Sequence, residues 1–412
     1  MGQVVPAPGS ESGVYAPNPG AIVVAIDAGH GGCLDWGVPD PLQRGTAFAE
    51  KTMTLGIALA LRDRLKAEGI NVVLARDDDQ AIAGDRYPPQ DCDGPPFRDV
   101  NGDGIAGFGP EVPEETLARD ELQARLDLAN LSRADVLVSI HVNSPSENGA
   151  TIEIAFSQTF YTDETPWGVT RTEGLARDVE GGVVDALGGV PYERGDRGIT
   201  AHNFYMVAPP LLEQTAERPN RWAQPSRGAL MPAILSEVGS ITLPAEADLL
   251  ASSAGQQRVA DGLFAGLAQF LGARPLAARI DPLVPGVDPV PEPVPGTGPP
   301  FWALALPAPT DGRVDLPLRL TNTGVQAWPA GVRLLIGWEA SDQPYLAAAP
   351  QDLEPLGLEV PALGPGESVE LSATIEMAAG PRQVAWLTLG AAAGTFADGG
   401  SPPLQMATTP LP

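Results

Sequence analysis

The chain has 412 residues, in which 52 acidic side chains outnumber 25 basic ones and give a formal net charge of −27. This length is sufficient for two or three domains. The negative charge argues against nucleic acid as a partner, because phosphate groups would be repelled. The sequence has no apolar run of about 18 residues, so we expect no membrane-spanning segment. No secretory signal is visible in its first residues.

The first predicted strand precedes a histidine in a glycine-rich turn. Residues 1–20 are rich in glycine, proline and serine and predict a flexible arm. The apolar run 22–26 then has the composition of a strand buried on both faces of a parallel sheet. It ends at Asp27, and three glycines flank His30. Open α/β sheets place their functional residues just beyond such strand ends.

Two later strands end in polar side chains of the same kind. The run 136–140 is followed by His141, and the run 233–236 is followed by Glu237. Further apolar patterns predict helices over 50–68, 114–131, 170–187 and 245–271, and strands over 70–75, 150–156 and 204–207. The strand ends should therefore bring functional side chains to one edge of the sheet.

These side chains form a candidate metal site. His30, His141 and Glu50, the first residue of a predicted helix, supply two imidazoles and one carboxylate. Three such ligands with an open fourth position are the ligand set of a catalytic zinc ion. Glu237 would then serve as the general base.

Five segments in order across roughly residues 20–272 carry a family resemblance. They are DAGHGG at 27–32, EKTMTL at 50–55, RLDLAN at 125–130, SIHVNS at 139–144 and LSEVG at 235–239. Together they resemble the type 3 class of zinc-dependent N-acetylmuramoyl-L-alanine amidases. The resemblance implies an α/β fold with a mostly parallel twisted sheet flanked by helices, similar to zinc carboxypeptidases.

The same resemblance implies a reaction, a substrate and a location. The reaction is hydrolysis, by zinc-activated water, of the amide between N-acetylmuramic acid and L-alanine of the stem peptide. The substrate is peptidoglycan, so we expect a secreted or cell-envelope protein. The family set assigns zinc to His30, Glu50 and His141, and catalysis to Glu237.

Two insertions interrupt the predicted catalytic domain of residues 21–272, at 77–115 and 209–229. In the first, Asp99, Asn101 and Asp103 precede a glycine and resemble the first half of a calcium-binding loop. The twelfth position of that loop is Pro110 instead of glutamate. A Ca²⁺ site and a solvated acidic turn both remain open.

Several residues near the predicted site have two interpretations. Cys33 and Cys92, the only cysteines, are either free buried thiols or a disulfide beside the site. Asn143, Arg197 and His202 are candidates for contacts with substrate. For His202, a structural role in the core or cleft wall is the alternative.

A second domain of different construction follows residue 272. Residues 273–300 are dense in proline and predict an extended linker. Residues 301–412 contain apolar residues at every second position, which predicts antiparallel strands in a β-sandwich, with Trp328 in its core. The stretch 320–329 is similar to Ig-like domains of secreted bacterial proteins. We expect this domain to contact the wall or a protein partner, and the chain to be a monomer.

Two other functions compete with the amidase hypothesis. A zinc peptidase acting on wall peptides would use the same metal chemistry, although the chain lacks the His-Glu-x-x-His pattern. A non-catalytic cell-wall-binding protein is the second alternative. The presence of Glu237 argues against it, because a binding protein needs no general base.

Overall fold

The first predicted strand is an inner strand of the main sheet of the fold. The computed structural model describes residues 4–5, 18–32, 35–82, 100, 119–164, 169–208, 228–284, 304–307, 309, 311–340, 352–377 and 383–408. Up to residue 272 its elements are β1 (Val4–Val5), β2 (Val23–Ala28), α1 (Glu50–Ala67), β3 (Asn71–Leu74), α2 (Arg119–Leu131), β4 (Val136–Asn143), β5 (Ser146–Glu147), β6 (Ala150–Thr151), β7 (Ala155–Tyr161), α3 (Val169–Ala186), β8 (Arg194–Ala201), β9 (Ala233–Ser240), α4 (Pro244–Ala251) and α5 (Ser253–Gly272). Short 3-10 helices lie at Pro19–Ala21 and Thr46–Phe48.

The main sheet has six strands in the order β3-β2-β4-β9-β7-β8. All neighbouring strands are parallel except β7 and β9, which are antiparallel. The sheet is therefore mixed and mostly parallel, in agreement with the predicted fold class. The carboxyl ends of β2, β4 and β9 meet at one edge, where open α/β sheets bind ligands.

Helices cover both faces of this sheet because the strand residues alternate between two apolar clusters. Val24 and Ile26 face a cluster that includes residues of α1, α3 and α5. Val23 and Ala25 face the other cluster, which includes residues of α2 and the segment 205–207. The buried runs that predicted the strands are thus explained by burial on both faces.

The α3 and α5 helices pack with their backbones in close contact. A Cβ atom added to Gly182 of α3 would lie 2.2 Å from the carbonyl oxygen of Gly262 in α5. A Cβ added to Gly266 would lie 2.4 Å from the carbonyl oxygen of Asp178. Because these glycines have no Cβ atom, the two helices lie closer together than any larger residue would permit.

Several predicted elements differ from the structure. The helix predicted over 245–271 is two helices, because Ser252 ends α4 and its side chain accepts the Gly255 amide to begin α5. The predicted strand at 204–207 is a turn, and 150–156 is divided between β6 and β7. Strand β8 was not predicted, because it is an edge strand with exposed positions and no apolar run.

The remainder of the described chain is all-β. Its strands are β10 (Ala278–Pro282), β11 (Leu304–Ala305), β12 (Arg313–Asn322), β13 (Arg333–Ala340), β14 (Glu354–Glu359), β15 (Ser368–Glu376), β16 (Gln383–Ala391), β17 (Gly394–Thr395) and β18 (Leu404–Ala407). They form one sheet in the order β1-β15-β12-β10 and a second in the order β11-β18-β16-β13-β14, with β17 beside β16. Both sheets contribute to a single apolar cluster. Trp328 is buried in it, as predicted.

Two segments predicted to be irregular contribute strands to the C-terminal part. Residues 278–282, expected to belong to the linker, form β10 and pair with β12. Ala278 and Ile280 are buried there, which explains why this stretch is a strand. Val4 and Val5, expected to belong to a flexible arm, pair with β15. Within the described residues, no helix has both the length and the apolarity that a membrane span requires.

Candidate active site

His30 lies directly beyond β2 in an unusual backbone conformation. Its φ is +64°, and Gly31 and Gly32 also have positive φ values of 135° and 73°. A left-handed residue other than glycine is uncommon and is typical of functional turns. The Nδ1 atom of His30 lies 2.7 Å from Oδ1 of Asp35. This contact leaves Nε2 directed at Oε1 of Glu50, at 3.2 Å.

Glu50 is the first residue of α1, and its side chain is 4% exposed. Its Oε2 accepts the Val38 amide at 2.9 Å, and its Oε1 accepts the Val142 amide at 3.0 Å. Burial alone would raise the pKa of Glu50. The charge of His30 and hydrogen bonds from His141 and His30 instead hold that pKa well below its usual range.

His141 completes a cluster of three potential metal ligands. It lies within β4, whose register pairs it with Glu237 of β9. Its Nδ1 atom is 3.1 Å from Oε1 of Glu50. One ligand atom from each of His30, Glu50 and His141 lies within 4.8 Å of the other two. The structure therefore brings the three predicted ligands together into a group that could hold a metal ion.

The chemistry of this cluster fits a cation. Burial alone would lower the pKa of His30. The charge of Glu50 and hydrogen bonds to Asp35 and Glu50 raise it to about 10. A buried carboxylate is costly without a positive partner, and here a proton on an imidazole supplies the charge. Two imidazole nitrogens and a carboxylate oxygen are also donors that transition metals prefer.

Glu237 lies beside the cluster with an unusual environment. Its Oε2 atom is buried and has no hydrogen-bond partner among the described residues. Leaving such an acceptor unsatisfied costs about 1–3 kcal/mol. Burial raises the pKa of Glu237 to about 7, with an opposing effect of His141 and a reinforcing one of Glu50. A buried carboxyl group with a raised pKa next to a metal-ligand cluster is a candidate acid or base.

The region that holds this cluster matches a known protein family. The sequence model of the N-acetylmuramoyl-L-alanine amidase family matches residues 24–269, which contain the whole His30, Glu50, His141 and Glu237 cluster. The chain belongs to this family. It is accordingly a peptidoglycan hydrolase of the amidase class.

Individual relatives are similar over the same region. The chain is 27% identical to the uncharacterized protein YqiI of Bacillus subtilis, over 60% of this chain and 84% of that protein. It is 25% identical to the germination-specific N-acetylmuramoyl-L-alanine amidase of the same organism, over 60% and 79%. A crystal structure of an N-acetylmuramoyl-L-alanine amidase from Clostridium difficile 630 is 28% identical, covers 61% of this chain and 97% of its own, and has a TM-score of 0.40.

The other predicted site residues of this amidase have contacts outside the cluster. The Arg197 guanidinium lies 3.6 Å from the centroid of the Phe156 ring. The His202 ring lies 4.3 Å from that of Phe204. The carbonyl of Asn143 accepts the Ile241 amide at 2.9 Å. The predicted calcium ligands Asp99, Asn101 and Asp103, and both cysteines, lie outside the described residues.

Sequence analysis did not identify the residues that support the ligands. Asp35 carried no prediction, yet its Oδ1 contacts Nδ1 of His30. Asp27 is buried, accepts from Ser139 at 2.6 Å and forms an ion pair with Arg125 at 2.8 Å. Asp35 lies outside the helices and strands, whereas Asp27 is the only charged residue of β2. The single available signal was the buried-strand run that ends in a charged residue at Asp27.

Proposed function

We propose that the chain is a zinc-dependent hydrolase that cleaves the amide between N-acetylmuramic acid and L-alanine of the stem peptide. The observation that carries the proposal is the His30, Glu50 and His141 cluster, with its ligand atoms within 4.8 Å of one another. Two nitrogen ligands and one oxygen ligand, with space for a fourth, suit a catalytic zinc ion. Membership of the amidase family supports the choice of bond.

Two of the three ligands, His30 and Glu50, are oriented by further contacts. Asp35 binds Nδ1 of His30 and leaves Nε2 for a metal. Backbone amides of Val38 and Val142 fix the two oxygens of Glu50. Such outer contacts normally hold metal ligands in position. A bound zinc ion would supply Lewis acidity, which activates water and polarises the scissile carbonyl.

Glu237 is the residue that we propose moves the proton. As a carboxylate it takes a proton from the attacking water, and as a carboxylic acid it donates that proton to the departing amine. A pKa near 7 allows both forms at neutral pH. The antiparallel pairing of Glu237 with Gln158 on β7 fixes the backbone from which this side chain projects.

The other parts of the chain have proposed roles outside the reaction. Residues 21–272 would form the catalytic domain, and the all-β part that follows would be an Ig-like domain that contacts the wall or a protein partner. Asn143, Arg197 and His202 would contact substrate. Asp99, Asn101 and Asp103 in the insertion 77–115 would either bind Ca²⁺ or form a solvated acidic turn. The whole chain would act as a monomer outside the cytoplasmic membrane, where peptidoglycan is found.

Release of labelled fragments from peptidoglycan tests the metal and the base together. The zinc-loaded protein should be active, a chelator should abolish activity, and added zinc should restore it. Glu237→Gln should keep one zinc ion per chain while activity falls about 10²–10⁴-fold, since it removes the proton carrier. Glu376→Gln, an exposed carboxylate in β15, is the matched control and should not change activity. Full activity of Glu237→Gln would contradict the proposed mechanism.

A further inference from the structure

The conformation of the His30 turn requires support from outside the turn. Three consecutive positive φ values, at His30, Gly31 and Gly32, are not a conformation that a short peptide holds by itself. The strain at a residue such as His30 persists only where surrounding contacts enforce it. The contacts that hold this turn therefore also hold one of the three metal ligands.

Part of that support comes from buried arginines beneath the turn. Arg125 donates to the His30 carbonyl at 2.8 Å and to the Ala28 carbonyl at 2.9 Å. Arg76 donates to the Ala28 carbonyl at 2.9 Å and to the Gly29 carbonyl at 3.1 Å. These contacts fix the turn up to His30 and do not extend to Gly32.

The far side of the turn is held by a lysine and an aspartate. Lys51 donates to the Gly32 carbonyl at 2.8 Å, and Asp79 Oδ1 accepts the Gly32 amide at 3.0 Å. The second oxygen of Asp79 accepts from the Lys51 ammonium at 2.8 Å. Both backbone polar groups of Gly32 are therefore satisfied by this one ion pair.

Lys51 is in a position to transmit this restraint. Its side chain is 2% exposed, and its ammonium lies 3.8 Å from the centroid of the Trp36 ring. A buried ammonium needs partners for its charge, so Gly32 and Asp79 define where it sits. Lys51 directly follows the ligand Glu50, and Gly32 lies two residues after the ligand His30. The contact thus joins two ligand-bearing segments.

We propose that Asp79 and Lys51 are positioning residues for the metal centre, which set the separation of His30 and Glu50 before a metal arrives. The proposal rests on the zinc site of the proposed function, although neither residue touches the metal or the substrate. Asp79 lies at the beginning of the predicted insertion 77–115, in the part of it, residues 77–82, that the structure describes.

The central experiment compares the zinc affinity of the full-length wild type with that of Asp79→Ala, by competition with a chromophoric chelator. We expect about 10-fold weaker zinc binding, the lower end for loss of an outer contact to a metal site. The melting temperature of the metal-free protein is measured for each variant, because Asp79→Ala leaves the buried Lys51 ammonium without its carboxylate and should also lower stability. Asp79→Asn keeps an acceptor for the Gly32 amide and should recover part of the affinity.

A coupling test separates a joint role from two independent ones. Lys51→Met keeps the length of the side chain and removes its charge. If the ion pair acts as a unit, the variant with both Asp79→Ala and Lys51→Met should bind zinc no more weakly than the single variant with the lower zinc affinity. Asp398→Ala is the matched control, because this carboxylate also accepts a backbone amide in a turn, at Thr395 in the all-β part. It should bind zinc as the wild type does.

Hydrogen exchange of the metal-free protein tests the same contact without zinc. Asp79→Ala should accelerate amide exchange in a peptide covering residues 28–32, since the Gly32 amide loses its acceptor. Unchanged exchange there, or a zinc affinity equal to that of the wild type, would overturn the proposal. If the wild type binds no zinc but Asp79→Ala still accelerates exchange, the metal assignment is refuted. The contact of Asp79 with the Gly32 amide would still stand.

Discussion

At the scale of single residues, the site is centred on one carboxylate oxygen that both imidazoles contact. Oxygen Oε1 of Glu50 lies 3.2 Å from Nε2 of His30 and 3.1 Å from Nδ1 of His141. Without a metal, the positive charge that this carboxylate needs is carried by the proton on the His30 imidazole. Metal binding and proton release are therefore coupled at this centre.

The first prediction concerns the pH dependence of zinc binding. The pKa of His30 is about 10 in the metal-free protein, so below that pH a proton must leave the imidazole before zinc binds. Affinity should increase about tenfold per pH unit for one displaced proton and level off near pH 10. Calorimetry in buffers of different ionisation enthalpy measures both quantities. A dissociation constant that does not vary between pH 6 and 9 would contradict this assignment.

The second prediction concerns a glycine that makes room for the ligands. A Cβ atom at Gly37 would lie 2.5 Å from Oε2 of Glu50 and 2.5 Å from Cδ2 of His30. Gly37→Ala should therefore displace the ligands and weaken zinc binding, about 10-fold or more. Gly149→Ala is the matched control, because Gly149 also has a positive φ but has open space around it. Equal zinc affinities in the two variants would contradict the role assigned to the contact between Gly37 and the ligands.

At the scale of secondary structure, the strands that carry the ligands are the part that the sequence predicts best. β2, β4 and β9 are buried on both faces, so their apolar runs identify them. The sequence placed His141 and Glu237 at strand ends, whereas β4 and β9 continue two and three residues beyond them. The edge strand β8 has no such run. The break between α4 and α5 was not predicted, because the apolar pattern continues in the sequence before and after Ser252.

The third prediction tests the packing of α3 against α5. Gly182→Ala would bring a methyl group to 2.2 Å from the Gly262 carbonyl, whereas a methyl group at Gly181 meets open space. Gly182→Ala should lower stability by about 1–3 kcal/mol through overpacking. Gly181→Ala should leave stability unchanged or raise it by up to about 1 kcal/mol through helix propensity. Thermal melts of the two variants, which differ by one position, compare packing directly, and equal melting temperatures would contradict the close helix contact.

At the scale of the whole molecule, buried ion pairs join the amidase part to the all-β part. Asp281 of β10 pairs with Arg133 at 2.8 Å, and Arg274 pairs with Asp135 at 2.7 Å. The positions of these pairs could not be predicted from sequence, because each links residues more than a hundred positions apart. They explain why the expected linker begins later than its proline content indicated.

The fourth prediction concerns this contact. Asp281→Ala leaves Arg133 and its neighbour Arg279 without the carboxylate that both contact, and it should destabilise the protein by about 3 kcal/mol. Glu370→Ala removes an exposed partner of Arg319 and should cost less than about 1 kcal/mol. Calorimetric melts of the full chain provide the comparison. Equal stability of the two variants would contradict a structural role for the buried pair.

The identity of the bond that is cleaved tests the central claim most directly. Purified peptidoglycan would be digested with the zinc-loaded protein, and the released fragments identified by mass spectrometry. The account predicts free stem peptides that begin with L-alanine, together with glycan strands that have lost their peptides. Glycan strands that keep L-alanine, with cuts inside the peptide, would instead indicate a zinc peptidase. An intact polymer would contradict the account and indicate either a binding protein or an autoinhibited enzyme.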